Sequence, residues 1–332
     1  HPPLMNELGQ FLEPIEARLK ESSSDFLAMP FPEHLASFKH QVDQGITYIL
    51  RACDGVIRPE DSMGQIMKAM RASCRAQEYV YPIANVMKPV NQYFLEPEVR
   101  QNEGLLASLT EGAGREKVGL FNAGNNRDQR GGFTLYIPEN NTLTDKRPLV
   151  VVLHGGTGHG ADFLWSWVRE ARSRNFYLLA PTSRRDTWSL MGEEHDLGGL
   201  LQMLDYVREG WSVDEEHILL TGMSDGGTYS LLAGLREDTP FTHLAPFSGV
   251  LHPEIAMSGN MAYAREKPIY LVHGTHDWMF PVETARMAAE ELRQAGATIE
   301  YREVQNLSHT YARSLNPDLL CWFNPSLDIR NA

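Results

Sequence analysis

The chain has 332 residues, of which 42% are hydrophobic and 22% charged, and its formal net charge is -13. This composition is typical of a globular protein with a sizeable core. The negative charge repels phosphate backbones and anionic lipids, so we expect neither nucleic acid nor a membrane as a partner. The three cysteines, which are odd in number and widely spaced, indicate neither a disulfide framework nor a zinc site.

We expect a cytoplasmic protein, because few and scattered cysteines fit a reducing compartment. The first residues contain no basic segment followed by an apolar one, and no apolar run is long enough to span a bilayer. The chain begins at His1 rather than at Met, so a removed signal peptide stays open as an alternative.

Residues 1 to about 115 have helical periodicity. Apolar residues recur three and four positions apart over 4–20, 33–53 and 61–81. Pro59-Glu60-Asp61 is typical of a helix start, with proline in the first turn and acids at the positive end of the dipole. We predict a helical N-terminal extension over 1–115 that packs on the rest of the chain or forms a homo-oligomer interface. An alternative is that it also covers the substrate pocket.

From residue 116 the pattern is typical of strands. Apolar segments at 117–121 and 132–137 flank a turn rich in Gly and Asn, which predicts an antiparallel hairpin. Five further apolar runs alternate with helical segments, at 148–153, 176–180, 217–220, 268–272 and 298–301. Such alternation predicts an α/β fold with a mostly parallel central sheet flanked by helices, here over 116–332.

The run 217–220 leads into Gly222-Met223-Ser224-Asp225-Gly226, and helical spacing follows. A sharp strand-to-helix turn of this kind exposes a serine hydroxyl, and glycines permit the bend because they have no Cβ. A serine needs a base and an anion-stabilising pocket to act as a nucleophile. The five-residue pattern alone is weak evidence, and an idle serine on a glycine-rich turn is the alternative.

A glycine-dense loop, His154-Gly155-Gly156-Thr157-Gly158-His159-Gly160, follows the strand at 148–153. Its backbone N-H groups are suited to hold a developing oxyanion. A phosphate or dinucleotide loop is the alternative, but neither the P-loop lysine nor the GxGxxG spacing is present. His154 and His159 lack a clear third metal ligand, so we expect them to brace the backbone.

Two further candidates follow later strands. Asp277 comes after the run 268–272, and His309 lies on a loop after the run 298–301. The ligand edge of a parallel sheet is at the carboxyl ends of its strands, so Ser224, Asp277 and His309 are expected there. A metal cluster of His273, His276 and Asp277 is a less favoured alternative.

With the order Ser, Asp, His, these motifs resemble the α/β-hydrolase family over about residues 116–326. They are most similar to compact phospholipase/carboxylesterases and dienelactone-hydrolase-like esterases, with some similarity to polyester depolymerases and feruloyl esterases. The resemblance implies a Ser224 nucleophile, a His309 base and an Asp277 orienting acid. It also implies an oxyanion hole from the N-H groups of Gly156 and Asp225, with Thr157 as a neighbouring candidate. It implies neither a cofactor nor a metal.

The expected substrate is a small to medium carboxylic ester. Apolar acyl or alcohol groups fit aromatic residues near the strand ends, and Trp278, Trp188 and Thr157 are the predicted substrate contacts. The other aromatic candidates are Trp165, Trp167, Phe247 and Phe280. A peptidase or thioesterase would use the same residues and is an alternative. A dehalogenase or C-C hydrolase is less favoured, because the dehalogenase reaction favours Asp as nucleophile and this chain has Ser224. Outside the enzymes, the alternative is a non-catalytic binding or scaffold protein.

Overall fold

The computed structural model describes residues 2–58, 63–142 and 144–330. The predicted helix start at 59–61 lies outside these residues. The described chain divides into two compact units, one ending at Phe94 and one beginning at Leu95. The boundary predicted at about residue 115 therefore falls inside the second unit.

The helices are α1 (Pro2–Ala28), α2 (Ala36–Ile57), α3 (Met63–Val80), α4 (Lys88–Tyr93), α5 (Glu103–Gly112), α6 (Gly160–Phe163), α7 (Val168–Arg174), α8 (Leu197–Gly210), α9 (Asp225–Gly234), α10 (Pro253–Met257), α11 (Val282–Gln294) and α12 (Asn316–Phe323). Within the described ranges, no helix has the length and apolar character needed to cross a bilayer.

The first unit is helical, and small residues let α2 and α3 approach closely. A Cβ on Gly45 of α2 would lie 2.5 Å from Cγ1 of Val80, so a side chain at this contact would require Val80 to shift. Tyr48 stacks on Tyr79 with ring centroids 5.5 Å apart. The unit also contains a cavity of about 530 Å³ whose lining is mainly apolar, including Phe38, Val42, Ile46, Ile49 and Val90.

Eight strands of the described chain form one sheet in the second unit. They are β1 (Gly119–Ala123), β2 (Phe133–Ile137), β3 (Arg147–Leu153), β4 (Tyr177–Pro181), β5 (Val213–Met223), β6 (His243–Phe247), β7 (Pro268–Gly274) and β8 (Thr298–Val304). Their order in the sheet is β1-β2-β4-β3-β5-β6-β7-β8.

The sheet is mostly parallel, as predicted. The pair β1 and β2 is an antiparallel hairpin, and β2 joins β4 antiparallel. All pairs from β4 to β8 are parallel, with Val151 of β3 facing Leu179 on one side and Leu220 on the other. Residues 149–153 are all 0% exposed. Burial on both faces explains why these strands appear in the sequence as continuous apolar runs.

Parallel pairing brings the carboxyl ends of β3, β5, β7 and β8 to one edge of the sheet. The glycine loop follows β3, Ser224 follows β5, Asp277 comes three residues after β7, and His309 comes after β8. The topology therefore collects the candidate residues at the edge where ligands bind in such sheets.

Candidate active site

Ser224 occupies a strained turn between β5 and α9. Its φ of 58° and ψ of -119° lie in a region that residues with a side chain rarely adopt. The Ser224 N-H donates to the Phe247 carbonyl at 2.8 Å, and the Ser224 carbonyl accepts from the Thr228 N-H at 2.9 Å. These backbone bonds hold the turn, so the hydroxyl has a fixed position at the end of β5.

A continuous hydrogen-bonded line joins Ser224, His309 and Asp277. His309 Nε2 lies 2.9 Å from Ser224 Oγ, and His309 Nδ1 lies 2.8 Å from Asp277 Oδ2. A carboxylate only accepts, so it selects the tautomer with the proton on Nδ1 and leaves Nε2 free to accept the serine proton. The arrangement can therefore act as a nucleophile with its base.

The Asp277 carboxylate is held on both oxygens. Oδ1 accepts the N-H groups of Met279 and Phe280 at 2.9 and 2.8 Å, and the side chain is completely buried. Nε2 of the buried His273 donates to the Phe280 carbonyl at 2.8 Å and lies 3.4 Å from Asp277 Oδ2. These contacts fix the carboxylate that orients the His309 ring.

The glycine loop after β3 packs against the serine turn. A Cβ on Gly155 would lie 3.5 Å from Ser224 Cβ, and one on Gly156 would lie 2.7 Å from Asp225 Oδ2. Among the described residues, the N-H groups of Gly156 and Asp225 donate no hydrogen bond. Asp225 opens α9, so its N-H also points along the positive end of the helix dipole. The two N-H groups fit the predicted oxyanion hole.

The predicted substrate contacts lie in different environments. Trp278 is 59% exposed, and its ring centroid lies 6.2 Å from that of His309, beside the candidate nucleophile's base. Thr157 is exposed and has a left-handed backbone conformation, with φ 55°. Its N-H donates to the Asp186 carbonyl at 2.7 Å. This bond means that the Thr157 N-H is not an oxyanion donor.

Trp188, which was predicted to contact the substrate, is buried. It is 3% exposed and stacks on Tyr229 with centroids 5.3 Å apart. Its Nε1-H donates to the His154 carbonyl at 2.7 Å. Trp188 is therefore a core residue that supports the glycine loop. The other aromatic candidates Trp165, Trp167 and Phe247 are 2%, 0% and 1% exposed and are also core residues.

The two loop histidines brace backbone groups, as expected. His154 Nε2 accepts the Ser183 N-H at 3.1 Å, so its Nδ1-H donates to the Gly155 carbonyl at 2.7 Å. His159 Nδ1 accepts the Ala161 N-H at 3.2 Å. The pKa of His159 lies below the ordinary value for histidine, because burial disfavours the charged ring. The hydrogen bond to the Gln129 carbonyl raises the pKa, but by less than burial lowers it. Within the described ranges, no group of three or more His, Cys, Asp or Glu residues is arranged to hold a metal ion.

Arg130, which no sequence pattern indicated, also supports the glycine loop. Its guanidinium donates to the Gly158 carbonyl at 3.1 Å and to Ser183 Oγ at 2.7 Å. Arg130 lies before β2, in a turn region that has no periodicity. A single arginine in such a turn gives no signal, because only the fold brings it to the loop after β3.

Comparison with known proteins identifies relatives of part of the chain. Residues 194–315 match the phospholipase/carboxylesterase family model. A bifunctional acetylxylan esterase/xylanase of Neocallimastix patriciarum is 27% identical over 156 residues, which are 46% of this chain and 22% of that protein. Acyl-protein thioesterase 1 of Gibberella zeae is 28% identical over 104 residues, 29% of this chain and 42% of that protein.

The chain therefore spans less than half the length of either curated relative. Among solved structures, FphF, a fluorophosphonate-binding serine hydrolase of Staphylococcus aureus, has a TM-score of 0.50 and 15% identity. The match covers 63% of this chain and 97% of that one. At this identity the likeness concerns the fold, which is the α/β-hydrolase fold expected from the motifs.

Proposed function

We propose that the chain, which has the α/β-hydrolase fold and whose residues 194–315 match the phospholipase/carboxylesterase family model, is a serine carboxylesterase. Its substrates are small to medium carboxylic esters. The observation that carries the proposal is the line from Asp277 through His309 to Ser224, with heavy-atom distances of 2.8 and 2.9 Å. These distances are within the range needed for proton transfer between a nucleophile and its base.

In the first step, Ser224 Oγ attacks the acyl carbonyl while His309 Nε2 takes the hydroxyl proton. Asp277 stabilises the imidazolium that forms, because its buried carboxylate accepts the Nδ1-H. His309 then gives the proton to the leaving alcohol, and an acyl-enzyme remains on Ser224. His309 then takes a proton from water, whose oxygen attacks the acyl carbon. The bond from the acyl carbon to Ser224 Oγ breaks as His309 returns the proton to Oγ, and the carboxylic acid leaves.

The developing negative charge on the acyl oxygen needs donors that are already in place. The N-H groups of Gly156 and Asp225 are the proposed pair, because Asp225 follows Ser224, Gly156 lies against Asp225, and neither N-H donates elsewhere in the described chain. Loss of one such donor typically lowers kcat by about 100- to 1000-fold.

Trp278 is the proposed substrate contact. Its indole is mostly exposed beside His309, so it offers an apolar face to the acyl or alcohol group. The acetylxylan esterase among the relatives makes acetyl esters a natural starting point. The acyl-protein thioesterase among them favours a thioester as the second candidate substrate.

The experiment that tests the function compares one acyl group on three leaving groups. The p-nitrophenyl ester series from acetate to long chains gives the acyl preference, and the matched thioester and anilide give the bond preference. We expect the short esters to be hydrolysed fastest. Ser224→Ala should lower kcat by about a million-fold, as loss of a triad nucleophile does.

Ser258→Ala is the matched control, because Ser258 is an exposed serine whose hydroxyl bonds only the Glu254 and Ile255 carbonyls in the described chain. Equal activity of the Ser224 variant and the unaltered protein would contradict the proposal. Faster hydrolysis of the thioester than of the matched ester would show that the protein is a thioesterase and not a carboxylesterase. A complete lack of turnover by the unaltered protein would favour a binding protein.

A further inference from the structure

Three consecutive residues after β4, the 186–188 segment, each bond the glycine loop or Asp225, which together supply the proposed oxyanion hole. The Asp186 carbonyl accepts the N-H of Thr157, the residue after Gly156, at 2.7 Å. The Trp188 indole N-H donates at 2.7 Å to the carbonyl of His154, which begins the same loop and lies before Gly156. The segment therefore holds the glycine loop on both sides of Gly156.

The middle residue of the segment bonds the other half of the hole. Thr187 Oγ1-H donates to Asp225 Oδ2 at 2.5 Å, and Asp225 supplies the second proposed N-H. The same carboxylate oxygen would lie 2.7 Å from a Cβ on Gly156, so it is adjacent to the loop donor. Thr187 thus connects α9 to the segment that holds the glycine loop.

We propose that the 186–188 segment is a positioning element that fixes the distance between the Gly156 and Asp225 N-H groups, with Thr187 as its connecting residue. This inference rests on the proposed function. Two donors stabilise an oxyanion only when both reach the same oxygen, at about 2.7 to 3.1 Å. They come from different parts of the chain, the loop after β3 and the start of α9. The pairing of β3 with β5 brings these parts together, and the 186–188 segment bonds both of them.

Thr187 also fixes the position of the negatively charged Asp225 carboxylate. The Asp225 carboxylate lies beside the place where the oxyanion forms, and like charges at short distance repel. The hydroxyl of Thr187 holds one carboxylate oxygen in a short, charge-assisted hydrogen bond. Without the Thr187 hydroxyl, the Asp225 carboxylate is free to turn. The separation of the two N-H groups and the distance from the carboxylate charge to the oxyanion then both change.

Thr187→Val tests the inference, because valine keeps the shape of threonine and removes the hydroxyl. We expect kcat to fall about tenfold while KM changes less than about twofold, since the interaction acts in the transition state. Affinity for a trifluoromethyl ketone, whose adduct with serine carries an oxyanion, should fall by a similar factor. A purely structural role would lower thermal stability without separating kcat from KM.

Thr187→Ser keeps the hydroxyl and should recover most of kcat. Thr47→Val makes the same chemical change on α2, where the exposed Thr47 hydroxyl bonds the Asp43 carbonyl, and should leave kcat unaltered. In an Asp225→Ala background, Thr187→Val should have little further effect, because the two residues then no longer act as a pair.

Unchanged kcat and ketone affinity in Thr187→Val, with an active unaltered protein, would overturn this inference and leave the esterase proposal intact. Additive effects of the Thr187 and Asp225 changes would also overturn it. If the unaltered protein hydrolyses none of the esters, both proposals fail.

Discussion

At the proposed nucleophile, the backbone conformation of Ser224 depends on the absence of a side chain at Gly222. A Cβ on Gly222 would lie 2.5 Å from the carbonyl carbon of Gly226 and 2.8 Å from Leu153 Cβ. Both neighbours are fixed, one in the backbone of α9 and one in the buried strand β3. The strained φ of Ser224 is maintained because strand and helix pack this closely.

We predict that Gly222→Ala lowers both thermal stability and kcat. Overpacking of this kind typically costs about 1 to 3 kcal/mol, and the displaced turn would move Ser224 away from His309. Thermal melting and ester hydrolysis measure the two effects. Gly198→Ala is the matched control, because a Cβ on this glycine of α8 meets nothing within 4 Å, and it should be neutral or slightly stabilising. A Gly222 variant that melts and reacts like the unaltered protein would contradict the account.

At the scale of elements, an ion-pair cluster joins α1 to the end of α2. Glu16 of α1 bonds Arg58 at 2.9 Å and Lys20 at 2.9 Å, and its side chain is 5% exposed. The hydrogen bond from Arg58, followed by that from Lys20, lowers the pKa of Glu16 from 4.5 to about 2. A depressed pKa means that the cluster stabilises the folded chain above pH 4.5 and ceases to do so as the pH falls towards about 2.

Glu16→Gln should therefore destabilise the protein by about 1 kcal/mol at neutral pH. The difference from the unaltered protein should shrink as the pH is lowered to about 3, because Glu16 is then protonated in the unfolded chain, whereas in the folded protein it takes up the proton only near its pKa of about 2. Urea unfolding at the two pH values measures it. Glu13→Gln is the control, since Glu13 is exposed on the same helix. A difference that stays constant or grows on acidification would show that the charge of Glu16 is not the cause.

The elements also show what the sequence could predict. The meeting of Ser224, Asp277 and His309 at one edge of the sheet was predictable because each follows a strand with a strong apolar pattern, and a parallel sheet brings such strand ends together. The strand β6 (His243–Phe247) was missed, because it is short and includes Pro246 and a polar first residue. The hydrogen bonds of Thr187 and Trp188 were not predictable, since both residues lie on a segment that has no periodicity and their partners are distant in the sequence.

For the whole molecule, the family model matches only part of the second unit. The family model begins at residue 194, so the glycine loop and the helical first unit lie outside it. A packing or oligomerisation role for the N-terminal extension remains a prediction. The central claim concerns the second unit alone, namely that Ser224 is a nucleophile activated by His309.

The most direct measurement of that claim is the intact mass of the protein after reaction with a fluorophosphonate. The reagent forms a covalent bond with an activated serine and loses fluoride, so one adduct is expected on Ser224. Ser224→Ala should take up none, and His309→Ala should react at least about 1000-fold more slowly, because the base is missing. An adduct of equal yield in the Ser224 variant, or no adduct on the unaltered protein, would contradict the account.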